Sequence, residues 1–327
     1  MQSSLLPELR DISNGQLISD QAWIKAHTGT EAKPEMPKLE VRFVDGQATW
    51  RIEWKLENRY PRRSGRDDLN IPEAAGEPGI FIAGNQPWKI WKAINDSRGP
   101  KFFGGNVKIK YKIHSATGIV ETGEVSFKIR GENPDDGRCK AHIIANQGAV
   151  WYAWAVAKHE SGDSSGSIYN QFAIGLADGG AGAHGAKGEP FYSPSEGDGW
   201  GLFQRDSSSD RSVTTQEAWS WDGNMKGFLQ DEYPDHLKIA NTYVDRIKVA
   251  NPATFEEPQF MIEGKKISGR DILALTSYNG LQGQKLSERL TFHPENSKGQ
   301  RWSKNLPNAP GNEHVPYVDL ILRAYHE

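Results

Sequence analysis

From Leu39 onward the chain repeatedly alternates apolar and polar residues in steps of two. Ala48, Trp50, Ile52, Trp54 and Leu56 alternate with Thr49, Arg51, Glu53, Lys55 and Glu57. Val107, Ile109, Tyr111 and Ile113 alternate with Lys108, Lys110 and Lys112, and Val125, Phe127 and Ile129 with Ser126, Lys128 and Arg130. Successive strand side chains point to opposite faces, so each run predicts a strand with one buried and one wet face. Gly46, Gly104-Gly105 and Gly118 punctuate the runs as turns. Several such strands predict an antiparallel, Ig-like β-sandwich over residues 37–134. Tyr60–Glu77 is charged and turn-rich and reads as a long loop. Residues 1–36 are polar and mixed, an N-terminal extension with a short helix expected around Ser19–Ala26.

The period changes after Gly131-Glu132-Asn133-Pro134-Asp135-Asp136-Gly137. Proline cannot continue a ladder and Asn, Asp and Gly favour turns, which sets a domain boundary here. Ala149-Val150-Trp151-Tyr152-Ala153-Trp154-Ala155-Val156-Ala157 is apolar nearly all round, as in a helix buried at a domain centre. It runs into Lys158-His159-Glu160-Ser161-Gly162, with Gly162 as the stop. Residues 163–199, rich in Gly, Ser and Asp, read as a long excursion. Further helices are expected at Thr215–Asn224, Met225–Leu229, Pro234–Val249, Gly269–Asn279 and Tyr317–Tyr325. The fold class is therefore two-domain α+β, with a mainly α second domain over 135–327.

Composition narrows the partners. A formal charge of -3 makes a general nucleic-acid binder a poor fit. The first 133 residues carry 20 Lys and Arg against 17 Asp and Glu, the remainder 19 against 25, so neither half calls for a polyanion. The 11 Trp suit stacking on sugar rings as well as core packing. The lone cysteine, Cys139, rules out an intrachain disulfide and reads as a small core residue. No run of 18 apolar residues exists, so no membrane insertion is expected. MQSSLLPELRDISNGQ lacks the basic and apolar regions of a Sec signal, which leads us to expect synthesis as a soluble cytoplasmic chain.

The candidate chemistry begins with Glu160, an ionisable residue at the end of an apolar helix. Burial raises a carboxyl pKa, and a carboxylic acid still protonated near neutral pH is what a glycosidic oxygen needs as its general acid. On its own, the position better suits an ordinary helix-end Glu. Three segments follow in order: Gly201-Leu202-Phe203-Gln204, then Ser277-Tyr278-Asn279-Gly280, then Tyr317 ahead of a terminal helix. Together with Glu160-Ser161 they resemble the soluble lytic transglycosylase and goose-type lysozyme family. That family ends a central helix on Glu-Ser, lines its cleft with Gly-Leu-Met/Phe-Gln and faces the Glu with Ala-Tyr-Asn-Ala-Gly.

The resemblance covers residues 147–327 and implies a lysozyme-like domain acting on peptidoglycan. It makes Glu160 the catalytic acid/base and Ser161 its orienter or a contact to the substrate acetamido group. Gln204 and the backbone of Gly201, Leu202 and Phe203 would hold the sugars. Tyr278 would hydrogen-bond near Glu160, Asn279 would shape the cleft floor, and Tyr317 would complete the set. The chain departs from the family pattern in its longer 163–199 segment and in Tyr-Asn-Gly-Leu-Gln-Gly at the third motif.

Only one carboxylate is secured by a motif, which favours a lytic transglycosylase with a 1,6-anhydro product over a hydrolytic muramidase. For the hydrolase, Asp163, Asp198 and Asp206 are candidates to position a water. His159, His184 and His236 lack zinc-type spacing and the Asp206–Asp210 run is no EF-hand, so neither metal nor cofactor is expected. A wall substrate and no visible leader imply export. The expected setting is an antibacterial effector, delivered by a type VI-like machine into the periplasm of a target cell. Its partners would be a cognate immunity protein and a secretion component. A phage lysis or tail enzyme and an inactive wall-binding module are the alternatives.

Overall fold

In the computed structural model the three alternating runs are strands over their described residues, the first from Trp50, since Ala48 and Thr49 lie outside them. Residues 7–27, 30–43, 50–60, 74–75, 80–82, 88–89, 102–115, 117–162, 169–176, 182–193, 199–205, 213–262, 264–279, 286–287, 289–304 and 317–326 are described. Helix and strand both contribute, so the fold is mixed α and β. Contacts divide the chain into two compact units, Met1–Cys139 with Tyr169–Asn224, and Lys140–Ile168 with Met225–Glu327. The division does not follow the turn at Pro134. That turn ends a strand, but the aromatic residues of 169–224 pack with the strands before it.

The strands of the first unit are β1 (Pro7–Asp11), β2 (Gln21–Ile24), β3 (Leu39–Phe43), β4 (Trp50–Arg59), β5 (Ala74–Ala75), β6 (Ile80–Ile82), β7 (Trp88–Lys89), β8 (Gly105–Ser115) and β9 (Gly118–Gly131). One sheet runs β1-β3-β7 and a larger one β2-β9-β8-β4-β5, with β6 also on β4. The centre of the larger sheet is antiparallel, with Trp54 opposite Tyr111 and Ile109 opposite Val125. Along β8 the alternation is realised in full: Val107, Ile109, Tyr111 and Ile113 are buried while Lys110 and Lys112 are exposed. A one-residue slip would turn all four apolar side chains to water, which fixes the register.

The core gathers Leu9, Leu39 and Val41 from the smaller sheet with Trp54, Leu56, Ile109 and Phe127 from the larger one. Phe172, Tyr192, Trp200, Ala218 and Trp219 join it from the 169–224 segment. Gly131 shows how tightly that segment is fitted, since a Cβ there would lie 2.1 Å from the Phe172 ring.

Three expectations change here. Ser19–Ala26 is not a helix: Gln21–Ile24 is β2, pairing parallel with Lys128–Gly131 of β9. Its Ala22 and Ile24 alternate inward, a four-residue signal too short to separate strand from helix by period. The 1–36 stretch is likewise no mere extension, since it supplies β1 and β2. Within the expected Tyr60–Glu77 loop, Ala74–Ala75 form β5; residues 61–73 and Gly46 lie outside the described residues.

The second unit is built on helices Ala153–Ser161, Tyr233–Ala250, Gly269–Tyr278 and Tyr317–His326. The first starts at Ala153 because Val150–Tyr152 form a turn, and it buries every residue from Ala153 to Ala157. The Gly269–Tyr278 helix starts where Ser268 accepts the Asp271 amide, and its hydroxyl bonds the Asp271 carboxylate at 2.7 Å. Asp271 also accepts from Tyr152 and Tyr233, tying three segments together. The expected helix Met225–Leu229 is replaced by the end of a helix Trp221–Gly227 and a π-helical turn, Phe228–Glu232, which has no sequence signature and leads into Tyr233–Ala250. Two short hairpins, Gln259–Ile262 with Lys265–Ser268 and Leu290–Phe292 with Trp302–Lys304, were also not expected. Among the described residues no helix is long and apolar enough to cross a membrane.

Candidate active site

Glu160 is the penultimate residue of the Ala153–Ser161 helix, so the buried apolar body of that helix fixes where its carboxyl begins. The terminal helix meets it: Tyr317, its first residue, donates its hydroxyl to Glu160 Oε1. Glu160 keeps partial exposure, yet enough protein surrounds the carboxyl that desolvation drives its pKa up to about 7. The Tyr317 hydrogen bond opposes that rise by favouring the ionised form, and the negative charge of Glu232 adds to it. Burial and the Glu160 charge push the Tyr317 hydroxyl well above its ordinary pKa, so it remains a donor. The pair is an acid protonated near neutral pH with a fixed hydrogen-bond partner.

Tyr278 closes the cluster from the end of the Gly269–Tyr278 helix. Its ring lies 6.3 Å from that of Tyr317, and edge-on contacts at 5.4 and 5.6 Å join it to Phe228 and His236. His236 Nδ1 is 2.9 Å from Ser277 Oγ. On the other side of Tyr317 the His159 ring packs edge-on at 5.3 Å. The structure thus places Tyr317 on Glu160 and Tyr278 beside Tyr317. Replacing Tyr317 with Phe removes the bond that favours ionised Glu160. Its titration midpoint should then rise above about 7, read by carbon-13 carboxyl NMR.

Two motif residues sit differently from their expected roles. Ser161 is wholly buried, and its hydroxyl donates to Ala157 O at 2.8 Å within its own helix, out of a ligand's reach in this conformation. Asn279 is exposed and ends its helix through amide bonds to Leu275 and Ser277 carbonyls, with φ of -78° rather than a left-handed value. Gly280 is outside the described residues, as are Asp163, Asp198 and Asp206.

Gly201, Leu202, Phe203 and Gln204 belong to the first unit and form a turn between paired Trp200 and Arg205. Its amides are spent internally. Leu202 N donates to Gln171 Oε1 at 3.1 Å and Phe203 N to Asn224 Oδ1 at 2.8 Å. Gln171 and Asn224 are themselves wholly buried, and their amide groups return bonds to the Ala218 and Trp200 carbonyls. Leu202 and Phe203 are core side chains. The backbone expected to hold sugars is thus a rigid scaffold, and Gln204 is the partly exposed member of the turn. Gln204 has a left-handed φ of 46°; its Nε2 bonds Gly201 O, while its buried Oε1 lacks a partner among the described residues. A buried Arg205–Glu217 pair at 2.6 Å braces the turn, and Glu217 completes a capping box with Thr214.

Gln171, Asn224 and Glu232 escaped the sequence reading. The first lay in the presumed excursion, and none belongs to a recognised motif. Cys139 is fully buried and burial pushes its thiol pKa up, which suits a core residue and not a nucleophile. Among the described residues no group of three or more His, Cys, Asp or Glu could hold a metal ion. A cavity of about 500 Å³ in the second unit is walled by Val150, Met225, Leu229, Tyr233 and Leu237, and Glu160 does not line it.

No protein-family model matches the chain, and no curated protein does. A solved structure, the N-terminal domain of PorA, aligns over 38% of this chain and 97% of its own, at 12% identity. Its TM-score of 0.19 is too low to carry an argument about fold.

Proposed function

We propose that the chain cleaves the β-1,4 bond between N-acetylmuramic acid and N-acetylglucosamine in bacterial peptidoglycan, with Glu160 as general acid and then base. The observation that carries this reading is the Glu160 carboxyl, raised to about 7 and held by the Tyr317 hydroxyl, with Tyr278 beside it. An acid of that pKa divides its time between donating and accepting states near neutrality, which a two-stage reaction requires. In the first stage Glu160 gives its proton to the glycosidic oxygen as the C1–O bond breaks, and the substrate acetamido oxygen bonds to C1. In the second, ionised Glu160 takes the proton of the muramyl C6 hydroxyl, whose oxygen displaces the acetamido oxygen and closes a 1,6-anhydro ring. The proton lent in the first stage is recovered in the second.

Mass spectrometry of the soluble products tests the chemistry. Anhydro-muropeptides are the expected result, while reducing-end products would make the enzyme a hydrolytic muramidase. The pH–rate profile should lose activity as pH rises through about 7, where Glu160 is no longer protonated.

For residues 37–134 we infer an Ig-like β-sandwich serving as an accessory domain, supported by the core that the smaller and larger sheets share. An exported antibacterial toxin, acting in the periplasm of a target cell, is the setting that fits a wall substrate.

A further inference from the structure

We propose that the cavity of about 500 Å³ in the second unit binds a small N-acylated amino acid, a ligand with a free carboxylate, an N–H donor and an aliphatic side chain. The volume is that of an ordinary small-molecule site, and all of its lining residues belong to that one unit. Tyr233, Leu237 and Asn241 come to it from successive turns of the Tyr233–Ala250 helix, and Pro234 and Lys238 from the row beside them. The turn Gln147–Val150 supplies further lining and is closed by the Val150 amide on the Gln147 carbonyl at 3.0 Å. Asp271 is held by the Tyr152 and Tyr233 hydroxyls on Oδ1 and by Ser268 Oγ on Oδ2. The walls are therefore formed before any ligand enters.

Val150, Met225, Leu229, Pro234 and Leu237 give the cavity an aliphatic surface. Tyr233 is its one aromatic lining residue among the described residues, so a branched alkyl group fits better than a sugar ring, which stacks on flat aromatic faces. Gln147 Oε1 is shielded from water and has no hydrogen-bond partner among the described residues, a deficit that a ligand N–H would make good. Asn241 Oδ1 accepts from Arg270 Nη1 at 2.9 Å, so the group Asn241 has left to give is its NH2. With Lys238 one turn earlier on the same helix, that group suits a carboxylate. Lys226 adds a second positive charge to the lining, against the single carboxylate of Asp271. An ammonium group would meet two cations and a carboxylate already engaged, which favours an acylated nitrogen over a free amine.

The inference does not rest on the Glu160 reading, and its probe is N-acetyl-leucine. Isothermal titration calorimetry on the full chain should show saturable one-to-one binding, in the millimolar range or tighter for a ligand of about a dozen heavy atoms. Affinity should fall about tenfold or more for N-acetyl-leucinamide, which lacks the carboxylate, and for leucine, which carries an ammonium. Lys238 is exposed and Gln147 partly so, and thermal melting shows whether Lys238→Gln and Gln147→Leu are folded. Each should weaken N-acetyl-leucine by about three- to tenfold. Glu160 does not line the cavity, so Glu160→Gln should bind as wild type does. No binding by wild type, or equal binding of N-acetyl-leucinamide, overturns the proposal. Unchanged affinity in either folded cavity variant, or lost affinity in folded Glu160→Gln, puts the ligand elsewhere and overturns it too. N-acetylglucosamine binding as tightly as N-acetyl-leucine would overturn the amino-acid assignment.

Discussion

Glu160→Gln should lower glycan cleavage by about a hundred- to ten-thousand-fold while yielding a protein more stable than wild type above pH 7. The two effects share one cause. Desolvation raises the Glu160 pKa from 4.5 to about 7, so the folded state resists ionisation that the unfolded chain accepts freely. Between those values the folded protein holds a proton that the unfolded chain has released, and stability from this group falls as pH rises. Below about pH 4.5 the group costs nothing. Above about 7 the cost has reached its plateau, of order 2 kcal/mol once partial solvent access is allowed for. A neutral amide of the same shape avoids that cost and keeps the Tyr317 contact. Melting temperatures at pH 5 and pH 8 should therefore show the variant gaining mainly at the higher pH. A variant equally stable with wild type at both would mean that the carboxyl is not desolvated as described.

Gly201→Ala should damage the first unit severely, by about 3 kcal/mol or more. Gly201 has φ of +69°, which alone costs a side-chain-bearing residue about 1–2 kcal/mol. An added Cβ would also lie 2.6 Å from Gln171 Nε2 and 2.7 Å from Asn224 Nδ2. Those amide groups cannot retreat, because each bonds both the backbone of the turn and a carbonyl of Glu217 or Ala218. Forcing them apart would leave buried donors and acceptors unmet. Thermal unfolding of the variant should show a loss of several degrees, and an unchanged melting temperature would contradict the interlock.

The turn also shows where sequence stops being informative. Gly201 to Gln204 was visible as a motif, but the amides that make it rigid come from Gln171 and Asn224, 30 and 23 residues from Gly201. Nothing local to either residue signals its burial, which is decided when the segment closes on itself. The strands of the larger sheet were readable because one face is dry and the other wet, and β8 repeats that contrast four times over. β2 was not readable, since a four-residue strand held by parallel pairing carries too little period to separate it from a helix. Glu160 stood out as a charge at the end of an apolar helix, and the ordered motifs directed attention to Tyr278 and Tyr317. Glu232 had no such marker. It ends a π turn and is buried there, a backbone choice made by packing and not by composition. Ser161 was legible as a motif residue but not as a hydroxyl committed to Ala157.

The central claim is that Glu160 makes this chain a peptidoglycan-cleaving enzyme, and its most direct measurement is release of soluble muropeptides from purified sacculi. Wild type and folded Glu160→Gln would be compared at equal concentration near pH 6, where the Glu160 carboxyl is mostly protonated. The account predicts steady release by wild type and near-background release by the variant. Equal release by both, or none by either, would contradict it.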